Sequence, residues 1–147
     1  MKITGINHVG LAPKDPARAR WFFHEVLGLP VRGEELVAEQ KTNTVILPAG
    51  SADGGDGELL EILEDTGTAE NPGPVARFLE KKGAGIHHLA LTVDSIEDAI
   101  RHLQKKEIRL VDESPRPGVC ETRVIFVHPS ATGGLLVELV ENPPGGA

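Results

Sequence analysis

Two histidines and two glutamates, repeated at one spacing, define the chemistry open to this chain. The stretch GIHHLALTVD (residues 85–94) echoes GINHVGLAPKD (residues 5–15): glycine, an apolar residue, a polar residue, histidine, then alternating apolar and small residues, then an aspartate opening a helix. Aligned, His8 falls on His88 at a spacing of 88 − 8 = 80 residues. GELLEILE (57–64) likewise echoes LVELVENP (136–143), and Glu58 falls on Glu138 because 138 − 58 = 80. Imidazole and carboxylate are ligands for first-row divalent ions such as Mn, Fe, Co, Ni or Zn. Four protein ligands on an octahedral ion leave two positions open, and such an ion can act as a Lewis acid on a carbonyl. A lone strand histidine is more often a core residue bonded to a backbone carbonyl, and a lone strand glutamate is more often solvated. Packing asks a duplicated module to repeat its apolar pattern; it does not ask for the histidine and the glutamate as well. The joint repeat therefore carries the metal reading of His8, Glu58, His88 and Glu138.

The elements that must position these side chains also come in two copies. Residues 3–12 alternate as a strand that puts His8 on one face with Gly10 and Ala12. Asp15-Pro16 is a helix start, with an N-cap aspartate and proline at the first helical position. The helix runs to Gly28, a residue suited to the left-handed C-terminal cap. Strands are expected at 30–38, 43–49 and 58–63, with a turn loop at 51–57. A linker and helix at 65–83 end at Gly83, after which the pattern restarts. A strand at 86–93 leads to Asp94 as N-cap, with Glu97 completing a capping box. A helix to about Lys106 and strands near 108–112, 123–128 and 134–140 complete the second copy. The expected organisation is one domain, 1–147, made of a first βαβββ module (1–64), the linker and helix (65–83), a second βαβββ module (84–141) and a loose tail (142–147). Two copies are too few for a solenoid, so the fold class is α+β, with two tandem modules packed into one curved, mixed β-sheet.

The chain is long enough for one ordinary domain. Its net charge of −7 argues against nucleic acid, whose binding needs phosphate neutralisation. Its one cysteine, Cys120, rules out an internal disulfide and fits a reducing compartment. With no stretch near membrane-spanning length and no signal-like N-terminus, a cytoplasmic protein without a membrane span is expected. His24 and His102 fall on helix surfaces, and His87 faces away from His88. His128, before Pro129, suits a turn cap. Cys120 reads as a surface thiol, and the run EKK at 80–82 as a solvated helix face.

At these residues the chain resembles the vicinal oxygen chelate superfamily over about residues 4–141. It is most similar to the members that epimerise methylmalonyl-CoA. The most specific stretch is PVARFLEKKGAGIHHLAL (74–91); DESPR (112–116) and HPSATGGLLVEL (128–139) are similar to later signatures. The resemblance implies a cup-like sheet with helices outside, and a divalent ion (Co, Mn, Ni, Zn or Mg) held by His8, Glu58, His88 and Glu138. It implies epimerisation of a CoA thioester at its α-carbon, with Glu138 and Glu58 as the acid/base pair. Arg116, Lys41 and Arg123 become candidate contacts to the CoA phosphates, and a homodimer is expected. The sequence departs from the pattern in four places. Glu58 stands where glutamine is common, a ligand set shared with glyoxalase I. Thr44 takes the place of a catalytic glutamate on the third strand. Cys120-Glu121 replaces a glycine pair, and Ser130 replaces a lysine. Two other functions stay open from the sequence: a glyoxalase I-like lyase acting on a glutathione hemithioacetal, and a non-catalytic small-molecule binding module.

Overall fold

The computed structural model describes residues 1–50 and 58–145; the turn loop expected at 51–57 lies outside the described residues. In chain order the elements are β1 (Ile3–Ala12), α1 (Pro16–Trp21), β2 (Gly33–Val37), β3 (Thr42–Pro48), β4 (Leu59–Asp65), α2 (Pro74–Lys82), β5 (Gly85–Val93), α3 (Ile96–Lys105), β6 (Arg116–Pro117), β7 (Arg123–Val127) and β8 (Val137–Glu141). The βαβββ order thus occurs twice, with α2 between the copies. Contacts divide the chain into two compact units, Met1–His8 with His88–Ala147, and Val9–His87. Among the described residues no helix is long and apolar enough to cross a membrane.

In the first of these units β5 and β8 pair in parallel, with Ala90 opposite Glu138 and Leu91 opposite Leu139. The antiparallel partner of β8 is β7, with Phe126 opposite Glu138 and Ile125 opposite Leu139. Successive strand residues point to opposite faces, so this register sorts the side chains into two sets. Val93, Ile125, Val127 and Leu139 form one set, and α3 covers them with Ile96, Ala99, Ile100 and Leu103. Those helical positions are i, i+3, i+4 and i+7, one apolar stripe. Fully burying a side chain such as Ile96 contributes about 1.5–3 kcal/mol. The second set, Ala90, Val124, Val140 and Phe126, shares its face with His88 and Glu138. One face of these strands thus packs the helix, and the other carries the titratable groups.

In the unit Val9–His87 the antiparallel strands are β2, β3 and β4. Val45, Leu47, Leu60 and Ile62 pack with Ala19, Phe23 and Val31, and Val75, Phe78 and Leu79 of α2 pack with Ala12 and Leu63. Asp15 caps α1 by accepting from the Arg18 N–H, with Pro16 at the first position, as its residue types predict. Beyond Trp21 the helix widens to a π-type turn over Phe22–Val26, with the Leu27 N–H bonded to the Phe22 carbonyl, before Gly28 at φ +76°.

Four local expectations change. The N-cap of α3 is Ser95, which accepts from the Asp98 N–H, while Asp94 accepts from the Lys2 N–H instead. Residues 108–112 make only an isolated bridge, Leu110 to Val127; the strand beyond it is Arg116–Pro117, where a proline without an N–H fits an edge. β8 begins at Val137, because Gly133 and Gly134 hold φ of +75° and +100°, outside strand geometry. β2 covers only Gly33–Val37, and the chain turns through a short 3₁₀ segment, Ala38–Gln40, to Lys41 in the left-handed region at φ 49°.

Candidate metal centre

His8, His88 and Glu138 are carried by β1, β5 and β8 and are 3%, 7% and 5% exposed. Strand alternation turns all three inward. The His8 and His88 Nε2 atoms lie 2.9 Å apart. Glu138 Oε2 is 3.3 Å from His8 Nε2 and 3.1 Å from His88 Nε2. The imidazoles meet edge to face, centroids 5.0 Å apart at 88°, so each aims a nitrogen at the same point without stacking. Phe126 lies edge to face against His88, centroids 5.8 Å apart. On the other ring, His8 Nδ1 lies 2.7 Å from Asn7 Oδ1.

These three residues are the His/Cys/Asp/Glu group that could hold a metal ion among the described residues. The chemistry of the donor set fits a first-row divalent ion: two imidazoles and one carboxylate. The spacing fits as well. Ligand atoms bound at about 2.0–2.1 Å and at right angles to one another lie about 2.8–3.0 Å apart, close to the 2.9, 3.1 and 3.3 Å that separate these three atoms. Three donors so spaced would fill one face of a coordination shell.

Burial acts to raise the Glu138 carboxyl, but hydrogen bonds from His8 and His88, with their charge, outweigh it and hold it at about 2, against an ordinary 4.5. A depressed carboxyl stabilises the fold fully above its unfolded value, and that contribution is lost as pH falls toward the folded value. In a chelator, the stability of the wild type relative to Glu138→Gln is therefore expected to fall as pH drops from about 4.5 toward about 2. Urea melts across that range test it, and a difference that stays constant refutes it.

Glu58 is a correction to the sequence expectation. It precedes β4, is exposed, and its carbonyl accepts from the Ala49 N–H. The buried carboxylate of β4 is Glu61, 4% exposed, opposite Ile46. Sliding the repeat by three residues, so that LLEIL (59–63) lies on LVELV (136–140), superposes Glu61 on Glu138 and matches the apolar residues on both sides. The signal was in the sequence, but a shared 80-residue spacing concealed it. A loop one to several residues longer in one copy shifts the register of everything beyond it, and here the shift happened to land on another glutamate.

The other residues divide in the same way. Thr44 is buried on β3 opposite Leu63. Arg123 bonds Glu141 at 3.2 Å and also pairs with Glu97, so its charge already serves two carboxylates. Arg116 is half-buried and bonds Asp112 at 2.5 Å. Lys41 is half-buried at its left-handed turn. His128 caps a turn by accepting from the Ser130 N–H, and His87 packs edgewise on Phe78. His24 and His102 are exposed, as are residues 80–82. Cys120 is half-buried rather than at the surface, and it and Glu121 hold φ of 55° and 59° where glycines would be unstrained.

Residues 7–126 match the family model described as Glyoxalase/Bleomycin resistance protein/Dioxygenase superfamily. The mitochondrial methylmalonyl-CoA epimerase of Bos taurus is 36% identical over 135 residues, covering 91% of this chain and 72% of that protein. The crystal structure of methylmalonyl-CoA epimerase from Mycobacterium tuberculosis is similar at TM-score 0.85 and 32% identity, covering 97% of this chain and 91% of that one. A methylmalonyl-CoA epimerase in complex with methylmalonyl-CoA and NH4+ is similar at TM-score 0.89 and 27% identity, covering 99% of each chain.

Proposed function

The chain belongs to the Glyoxalase/Bleomycin resistance protein/Dioxygenase superfamily, and we propose that within it the protein is a methylmalonyl-CoA epimerase, interconverting the (2R) and (2S) thioesters by proton transfer at the α-carbon. Its fold is the α+β vicinal oxygen chelate fold, built from two βαβββ modules. The observation that carries the reading is the convergence of His8, His88 and Glu138 on one point, among relatives that act on this thioester.

His8, His88 and Glu138 would hold the divalent ion. When bound, the ion supplies a Lewis acid that draws off the charge developing on the thioester oxygen as the α-proton leaves. The two imidazoles fix the position of that charge sink, and their burial excludes the water that would weaken it. Glu138 brings the negative charge that favours a dication, and its depressed carboxyl keeps it ionised at neutral pH. We assign Glu138 one face of the α-carbon, where the oxygen not turned to the histidines takes up or returns the proton, and the proton on the opposite face is exchanged with water. Glu58, exposed, is given no role. Arg116 and Lys41 remain the candidate contacts for the CoA phosphates; Arg123 would have to break two ion pairs to serve there. By resemblance, the proposal includes a homodimer and a cytoplasmic location.

The test is deuterium exchange. Incubated with (2S)-methylmalonyl-CoA in deuterated water and loaded in turn with Co, Mn, Ni, Zn and Mg, the protein is expected to wash deuterium into C2 with at least one ion. No exchange at any metal loading overturns the assignment.

A further inference from the structure

A metal-ligating imidazole uses one nitrogen on the ion, and the hydrogen on its other nitrogen is the handle by which a protein turns the ring. His8 has such a handle next to it in the chain. Its Nδ1 lies 2.7 Å from Asn7 Oδ1, and Asn7 Nδ2 donates in turn to Asn142 Oδ1 at 3.3 Å. Asn142 directly follows β8, the strand of Glu138. His88 is set differently, with its ring against the ring of Phe126.

We infer that Asn7, held by Asn142, is a positioning residue for the metal site: its side-chain oxygen takes the Nδ1 hydrogen of His8 and so presents the Nε2 lone pair toward His88 and Glu138. An amide oxygen can only accept, so of the two neutral tautomers of His8 this bond admits the one with a free lone pair on Nε2, the form a metal-bound ring takes. The expected tail at 142–147 is thereby tied, at its first residue, to the ring it helps to orient. The inference rests on the metal reading of the site.

Apoprotein is titrated with Co(II), following the visible absorption of the ion and its dissociation constant. Asn7→Leu keeps the size of the side chain and removes the acceptor; binding is expected to weaken by about 10- to 100-fold, with a changed absorption band. Asn7→Asp restores affinity and spectrum, because a carboxylate also only accepts. Asn142→Ala moves in the same direction as Asn7→Leu by a smaller factor, and it decides the matter if Asn7→Leu does not fold, an unchanged dissociation constant overturning the inference. So does Asn7→Leu binding cobalt with wild-type affinity and spectrum, and so does an Asn7→Asp variant as impaired as Asn7→Leu, which would leave Asn7 a packing role only. Failure of the wild type to bind cobalt overturns the metal reading and the inference together, whereas equal binding by wild type and Asn7→Leu overturns the inference alone.

Discussion

Glu138→Gln is expected to lower α-proton exchange into methylmalonyl-CoA by at least about 10²-fold, the smaller end of what a positioned acid/base contributes. Glutamine has the same length and fits the same place between Ala90 and Phe126, so the strand pairing is kept. What is lost is the negative charge opposite a dication and the only group in the cluster that can take up a proton while already ionised. The loss should appear in kcat more than in KM, since the contribution is made as the proton moves. Glu58→Gln is the matched control: the same change on an exposed side chain, expected to leave the rate unchanged. Mass spectrometry of the recovered thioester measures both variants. Wild-type exchange by Glu138→Gln, in a protein that still melts cooperatively, removes Glu138 from the chemistry.

Dialysis against a chelator is expected to reduce exchange on the order of 10³-fold, because a Lewis acid contributes several kcal/mol at the developing oxyanion. Titrating a divalent ion back should restore the rate. The same titration should raise the melting temperature: an ion at about a hundredfold its dissociation constant adds about 2.7 kcal/mol to a native state that binds it and an unfolded state that does not. His88→Ala should abolish both responses, since it removes one of the three converging atoms. An activity indifferent to chelation, or a melting temperature unmoved by every ion tried, would contradict the metal reading, and the two readouts separate loss of the ion from loss of the substrate.

Much of this protein could be read from local pattern. The doubled βαβββ order followed from alternation, caps and turn residues. Asp15-Pro16 started α1, and Gly83 closed α2, because these signals act within a few residues of chain. His8 and His88 stand out because strand alternation and a repeated motif are both one-dimensional, whereas Glu138 is singled out through a pairing with Glu58 that the structure does not support. Where a local signal had two solutions, the sequence could not choose. Asp94 and Ser95 are both good caps, and the choice fell to Ser95 because the Lys2 N–H, 92 positions away, occupies Asp94. The strand expected near 108–112 has the composition for pairing, but it makes a single bridge.

The sequence alone determined which residue types repeat, and hence the metal reading proposed for the site and the family to which the chain belongs. Tertiary structure was needed to choose Glu61 over Glu58 as the buried glutamate between two registers the sequence allowed, and it alone decided that His8 and His88 come within 2.9 Å of each other and that Asn7 stands behind the ring. The reason is physical. Periodicity states which residues share a face, but burial and ligand spacing depend on the register between strands distant in the chain, and a slip of a few residues there exchanges an exposed carboxylate for a buried one.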